Sequence, residues 1–484
     1  MVRMGCLSGV LTGVRTGVLL AVAVSSSPAE ADEPHERVAA EGAWASGTAA
    51  PATIRLHGYT LAECLALAER NFPNLWAARA RLAQAHAQFD EARWTPWFQW
   101  SAQSQLGVMP PLQGTVTYGA STLDARNISA FDNLHPFFGF GVSGVVPLYT
   151  FGKIEAAADA GAAGVRVAEW DMEKWRQATR MDVRRAFFGL EAARDAKYVA
   201  DEALDRLDHG ISGLKEKIAR GAQKVSDVDL LRLEAFRQDV VAQSLQAPKA
   251  EAYALGALRF MTGVESGFDI VDEPLRRPER PLVAIVQYLE AARILRPDVN
   301  MARAGVAARQ ALVHLGRAKL FPDFGLGLGA DFMSTPYAVP QENAWTNDPY
   351  NHFYYYGALG LRWSLDLLPQ AARSRQAESQ LEETRALERL ALGNAMFEVE
   401  KAYADALEAK GREEAYDRAE HIAKEWISLV QDHIDLGSSD EPALLEPLRS
   451  YGSARLQHLT ALMDYNVAMS TLALASGWDS AGPQ

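Results

Sequence analysis

Cysteine is almost missing from this chain of 484 residues, which carries only Cys6 and Cys64. Cys6 lies in a segment that reads as removable, so Cys64 is left alone and a disulfide framework is excluded. Only Val2-Arg3-Met4-Gly5 separates Cys6 from the start, with no apolar run of the kind that precedes a lipid-bearing cysteine; no N-terminal lipid is predicted. Basic excess is missing too: 48 Lys and Arg face 61 Asp and Glu, for a net charge of -13. That balance argues against nucleic acid as a partner, because phosphate binding needs clustered cations. No stretch beyond the first thirty residues is long and apolar enough for a transmembrane helix, so any membrane entry must be as a β-barrel. HExxH, paired Cys–His sets and nucleophile elbows are also lacking. The reading is of no enzyme, no cofactor and no metal site.

What is present begins with an export signal over residues 1–31. Arg3 and Arg15 supply positive charge, Val18 to Val24 a short apolar core, and Ala29-Glu30-Ala31 a small-x-small cleavage pattern. Residues 32–56, rich in Ala, Pro, Glu and Gly, read as a flexible leader. Thr60 with Glu63 three residues on forms a capping box, which predicts a helix from there to about Arg93.

The period then changes from helical to alternating. Phe98, Trp100, Ala102 and Leu106 alternate with Gln99, Ser101, Gln103 and Gln105, which predicts a strand over about 97–108 with one oily and one wet face. A second such strand is predicted over about 137–148. A long helix without proline follows over about 153–220, then a turn at Gly221 and a helix from about Asp227 to Met261. At 1.5 Å per residue the long helix would reach on the order of 100 Å. The charged, proline-rich stretch 264–281 reads as a linker.

After it the plan repeats. Ala78-Arg79-Ala80 recurs as Ala302-Arg303-Ala304, and Leu258…Thr262-Gly263 as Leu472…Ser476-Gly477. Strands are predicted over about 323–332 and 354–365, a long helix over about 370–436, and a last helix ending at Gly477. The units are thus 57–263 and 282–478, each helix, strand, strand, long helix, helix, with a tail at 479–484. Strands of about ten residues with one apolar side are what a membrane-spanning strand requires. Aromatic residues at their ends, namely Trp97, Trp100, Phe137, Phe138, Tyr355 and Trp363, are candidates for the membrane interface.

Four strands cannot close alone, and a lipid-embedded sheet cannot keep open edges. Two chains would give eight strands, a barrel filled by its own side chains; three would give twelve, with room for a wet lumen. Three is preferred, and other numbers stay open at this stage.

The chain resembles the TolC-like outer-membrane efflux factors. The residues that carry the likeness are Thr60-Leu61-Ala62-Glu63-Cys64-Leu65 leading to Asn71-Phe72-Pro73-Asn74-Leu75, the segment Val146-Pro147-Leu148-Tyr149-Thr150-Phe151-Gly152-Lys153, and the turns at Gly221…Asp227-Val228 and Gly437…Leu444-Leu445-Glu446. The resemblance spans about residues 57–478. It implies a mainly α protein with a membrane β-barrel: a homotrimer whose twelve-stranded barrel stands on an α-helical coiled-coil tunnel across the periplasm. It also implies outer-membrane lipid, a periplasmic adaptor and an inner-membrane pump as partners, and a periplasmic gate at the helix tips. Gly221 and Gly437 match the glycines of the adaptor-docking tips, although their flanks, Arg220 with Ala222 and Leu436 with Ser438, do not. Asp227 and Glu446 stand where the family places gate acids. Ser439 replaces the tip arginine, and Asp440 and Glu441 are candidates to substitute in the gate.

A ring of symmetry-related carboxylates around a narrow opening would attract cations. The plainer reading of Asp227, Asp440, Glu441 and Glu446 is as caps or first-turn acids of helices. Gly139-Phe140-Gly141-Val142-Ser143-Gly144 matches a dinucleotide fingerprint but sits inside an alternating strand. His421 with Glu425, and His433 with Asp432, read as solvated helix surface. The rival readings are a periplasmic coiled coil that tethers envelope layers and an envelope enzyme in the cleft between repeats.

Overall fold

A computed structural model describes residues 57–109, 134–220, 226–336, 348, 350–436 and 441–481. The expected signal and leader, Gly221, Gly437 and Asp440 lie outside the described residues, as do the last three residues of the tail.

A short strand β1 (His57–Tyr59) leads into α1 (Leu61–Asn71), α2 (Pro73–Trp94), β2 (Gln99–Met109), β3 (His135–Tyr149), α3 (Lys153–Ala219), α4 (Asp227–Ser244) and α5 (Gln246–Thr262). Then come β4 (Phe268–Ile270), α6 (Ile285–Leu295), α7 (Pro297–Ala318), β5 (Asp323–Ser334), β6 (His352–Arg362), α8 (Leu367–Asp435) and α9 (Leu445–Ser476). The helices α3 and α8 have 67 and 69 residues, so each is about 100 Å long. None of the described helices is long and apolar enough to cross a membrane.

The capping box at the start of α1 is formed: the Glu63 amide donates to Thr60 Oγ1 at 3.3 Å, and the Thr60 amide donates to Glu63 Oε2 at 2.8 Å. The single helix expected up to Arg93 is instead two. Phe72 is extended at φ -71°, ψ 124°, because the ring of Pro73 excludes the helical region for the residue before it. Pro73 then starts α2, where its missing N–H costs nothing. Arg296 and Pro297 break α6 from α7 in the same way, at φ -64°, ψ 124°. The helix expected from Asp227 to Met261 also divides, at Leu245. The strand β6 stops at Arg362, so Trp363 to Leu365, expected inside it, form the lead into α8.

The core lies midway along the helices, in two clusters. Cys64, Leu65 and Ala68 of α1 meet Val183, Phe187 and Leu190 of α3 and Leu258 and Met261 of α5, with Phe268 and Ile270 of β4. The parallel pair of β1 with β4 holds this group from one side. In the second half Tyr288 and Ala292 of α6 meet Val399, Ala402 and Ala406 of α8 and Leu472 and Ala475 of α9. The matched pairs Thr262-Gly263 and Ser476-Gly477 close α5 and α9 alike, both glycines taking left-handed caps with φ of 70° and 74°. A Cβ on Gly477 would lie 2.8 Å from the carbonyl carbon of Leu295, so the second half needs glycine there for both dihedral and space.

Two outcomes are expected. Gly477→Ala should lower the denaturation midpoint in detergent, by about 1–3 kcal/mol of stability, whereas Gly452→Ala, whose Cβ meets open space in α9, should be neutral or stabilising by up to about 1 kcal/mol. Burial pushes the Cys64 thiol up to about 12, so peptide mapping should find Cys64 unalkylated by iodoacetamide in the folded protein and alkylated after denaturation.

Candidate functional site

The larger sheet has the order β2-β3-β5-β6, all antiparallel. The register sorts its side chains by chemistry. Trp100, Ala102 and Leu106 pair with Gly144, Val142 and Phe138; these continue to Leu328, Ala330 and Ser334 on β5; and Leu326, Leu328 and Phe332 face Leu359, Gly357 and Phe353 on β6. One face is therefore apolar from edge to edge. On the other face Gln99, Ser101, Gln103 and Gln105 pair with Val145, Ser143, Gly141 and Gly139, followed by Gly327, Gly329, Asp331 and Met333. Ser101 and Ser143 hydroxyls lie 3.1 Å apart on it. A one-residue slip of any strand would invert its faces, so agreement across three pairings is a strong constraint.

Both faces are largely accessible. Phe138, Phe140, Phe353, Tyr355, Leu359 and Leu361 are exposed, Tyr355 and Leu359 by about 80% (81% and 79%). In water such a surface is unfavourable by roughly 25 cal/mol per Å² of apolar area. The outer strands β2 and β6 each pair on one side only, and each leaves a row of backbone groups unpaired.

The foot of the sheet is fixed to the helices by an aromatic knot. The segment Val146 to Lys153 spans the end of β3 and the start of α3, and in the turn between them Phe151 and Gly152 both have positive φ, 54° and 83°. Phe151 is held in this conformation by stacking on Phe321 at 5.1 Å and by contact with Tyr149 at 4.7 Å. The Lys153 ammonium donates to the Phe321 carbonyl at 2.8 Å and to Asp323 at 2.7 Å, so the start of α3 is tied to the start of β5.

The expected interface aromatics fall mainly into two levels. Trp97, Trp100 and Trp363 stand at the helix end of the sheet and Phe137 and Phe138 toward the far end, with Tyr355, opposite Ala330, between the two. Trp100 and Phe138 are separated by six residues of ladder, or about 20 Å. They do not all share a face: Phe137 lies over Gly107 on the polar side, whereas Phe138 is on the apolar side. Trp97 and Trp363 are outside the strands, and the Trp363 indole donates to the Leu320 carbonyl at 3.2 Å. The run Gly139 to Gly144 is the middle of β3, where no helix follows to cradle a phosphate. His421 and Glu425 are 3.8 Å apart on an exposed face of α8.

Of the gate candidates, Asp227 occupies the exposed first turn of α4, behind the N-cap Ser226. The cap is a second capping box whose acid is Asp229, a role the sequence reading missed although Ser226-x-x-Asp229 signals it. Glu446 is exposed in the first turn of α9. Glu441 opens the 3-10 turn Glu441–Leu444. Near these ends α3 and α4 are laced together: Arg237 binds Asp208 at 2.6 Å, and Lys215 binds Glu234 at 2.9 Å. Arg237 holds the Asp208 carboxyl below the usual carboxylate range.

Among sequence families, the outer membrane efflux protein family matches residues 64–264 and again 288–478. The chain belongs to the outer membrane efflux protein family. As such it is an outer-membrane channel protein that extends into the periplasm. It is 28% identical to the protein CyaE of Bordetella pertussis over 335 residues, 66% of this chain and 67% of that one. Its fold is similar to that of CusC, with a TM-score of 0.70 at 16% identity, covering 87% of this chain and 93% of CusC. It is similar also to the open state of the MtrE outer membrane channel of Neisseria gonorrhoeae, with a TM-score of 0.67 at 18% identity, covering 88% and 93%.

The two-faced sheet of this efflux protein gives a direct test. Leu328→Arg, mid-strand on the apolar face, should cost about 2–4 kcal/mol in a bilayer and lower recovery from the outer-membrane fraction. Gln103→Arg, on the other face, should leave recovery unchanged.

Proposed function

We propose that the protein is the passive exit duct of a tripartite efflux or type I secretion system, carrying solutes from the periplasm to the exterior. The observation that carries the reading is the sheet with one apolar face, one polar face and two unpaired edges. In lipid, unpaired backbone groups must find partners. Joining β6 of one copy to β2 of the next meets that need, and three copies of four strands make a twelve-stranded barrel with its apolar face outward. The Gln, Ser and Gly face would then line a water-filled lumen. The two halves, 57–263 and 282–478, act as structural repeats, and α3 and α8 of three copies would form the wall of a tunnel through the periplasm. Residues 1–31 fit a signal peptide for the export such a location demands.

In this reading the channel catalyses nothing, and energy comes from an inner-membrane pump through a periplasmic adaptor. The adaptor would dock at the tips marked by Gly221 and Gly437. Asp227 and Glu446, with Asp440 and Glu441, would supply the acids at the periplasmic aperture. The exposed ion pairs between α3 and α4 suit a hairpin whose helices stay paired yet can bend. CyaE and the outer membrane channel MtrE are consistent relatives for such a duct.

Planar-bilayer recording of the purified assembly tests this. We expect discrete conductance and a trimer on crosslinking. Asp227→Ala and Glu446→Ala should each raise conductance or weaken cation preference by a few-fold. Unchanged traces in both variants reject the gate assignment alone. A water-soluble monomer without conductance rejects the duct and favours a periplasmic tether.

A further inference from the structure

A cavity of about 660 Å³ lies where the two halves meet, between α1, α3, the segment 271–281, α6 and the end of α9. That is the size of a small-molecule site. Its walls include Phe187, Phe188, Tyr288, Met469 and Trp478. The first and third of these are buried, at 6% and 2% exposure, and Trp478 packs on Tyr288 with ring centroids 4.5 Å apart. Four carboxylates line this aromatic box, namely Glu191, Glu273, Glu279 and Asp479. Glu191 of α3 lines it without a hydrogen-bonded cation. Asp479 lines it too, at 5% exposure. One Asp479 oxygen is bound by Arg184 at 2.7 Å, while Oδ2 is buried with no hydrogen-bond partner.

The basic groups of the lining are occupied elsewhere where their partners are seen. Arg184 is held by Asp479, Arg277 reaches away to Glu413 at 2.7 Å and Asp417 at 2.9 Å, and Arg276 stands 3.6 Å from Glu273. The ionisable groups around Glu191 are Asp195 on its own helix, Glu273 and Arg276 on the segment 271–281, of which Arg276 partly offsets the two acids, and Glu279, Arg280 and Tyr288 elsewhere in the lining. A desolvated carboxylate beside aromatic faces favours one kind of guest, an ammonium on a flat apolar body.

We infer that this cavity is a binding site for an aromatic organic cation, with Glu191 as the counter-charge and Phe188 and Trp478 as the stacking wall. The site is distinct from the sheet and from the helix tips, and a guest there touches α3 of the first half and α9 of the second. Burial, with Asp195 and Glu273 nearby, pushes the Glu191 carboxyl up to about 7. The guest should therefore bind well above neutral pH and lose affinity as the carboxyl is protonated below it.

The test is calorimetric titration of the detergent-solubilised full-length protein with tryptamine, whose amine stays charged throughout. At about pH 8 we expect saturable binding of one molecule per chain, weakened about tenfold or more at about pH 5.5. The neutral analogue 3-ethylindole should bind about tenfold more weakly or not at all. Glu191→Gln should reduce tryptamine affinity about tenfold and abolish its pH dependence, with Asp205→Asn, an exposed carboxylate of α3, as wild type. Ala473→Phe, which fills the cavity while keeping Glu191, should block binding. Absence of saturable binding, equal affinity for the neutral analogue, or unchanged affinity in either Glu191→Gln or Ala473→Phe would overturn the assignment.

Discussion

A backbone N–H or C=O left without a partner in hydrocarbon costs several kcal/mol, and the rest of this molecule depends on how it meets that constraint. The sheet β2-β3-β5-β6 pairs its inner strands on both sides, apart from the irregularity between Pro147 and Tyr149, and leaves one row open on β2 and one on β6. The open rows are at opposite ends of the strand order, and the apolar face is continuous between them. A surface of this kind is unfavourable in water on its face and in lipid at its edges. A closed sheet would remove both penalties, which is the physical argument behind the duct proposed above.

The constraint propagates inward through the knot at Phe151. Positive φ at a non-glycine residue costs on the order of 1 kcal/mol or more, and three aromatic neighbours offset it by fixing the ring. The turn converts an antiparallel strand into a helix that continues for 67 residues. Lys153 bonds both the carbonyl of Phe321 and the carboxylate of Asp323, so the direction of α3 is referred to the neighbouring strand of the other half. The second half achieves the same transition differently. Asp366 precedes α8 and accepts from Ser364 and Arg373, and these contacts hold its carboxyl below the usual range.

The period-2 segments, the long uninterrupted helices and the doubled plan were legible because they rest on local rules: alternation, absence of proline, and Gly at helix ends. The helix break at Phe72 is masked, although Pro73 announces it, because Ala-rich sequence on both sides reads as continuous. The end of β6 was placed three residues late since Trp363 and Leu365 keep the alternation of the strand that the chain has already left. Phe137 and Phe138 are adjacent, so one of them had to face away from lipid, and sequence position alone grouped them together. Glu191 gave no signal at all. Its unusual environment comes first from burial and then from Asp195 one turn on and Glu273 far along the chain, and only the meeting of the halves creates it. Tertiary burial of a charged residue is not written in any local pattern.

The two halves share a helix plan but not their polar joints, and the difference has a physical consequence. In the second half Glu413, 1% exposed, takes Arg277 at 2.7 Å and His458 at 3.3 Å, and Glu420 takes His458 at 2.6 Å and Arg455 at 2.9 Å. A buried carboxylate of this kind is tolerated only while its partners stay in place, since removing one leaves an uncompensated charge. The joint between α8 and α9 is therefore stiff at Glu413 to Glu420, and Arg277 fastens the linker to it. In the first half the ion pairs between α3 and α4, such as Asp208 with Arg237, are solvent-exposed and contribute little each. Bending of the helical part should then be easier through α3 and α4 than through α8 and α9. An asymmetry of this sort cannot come from the shared fold; it comes from one buried glutamate and the arginine that the linker brings to it.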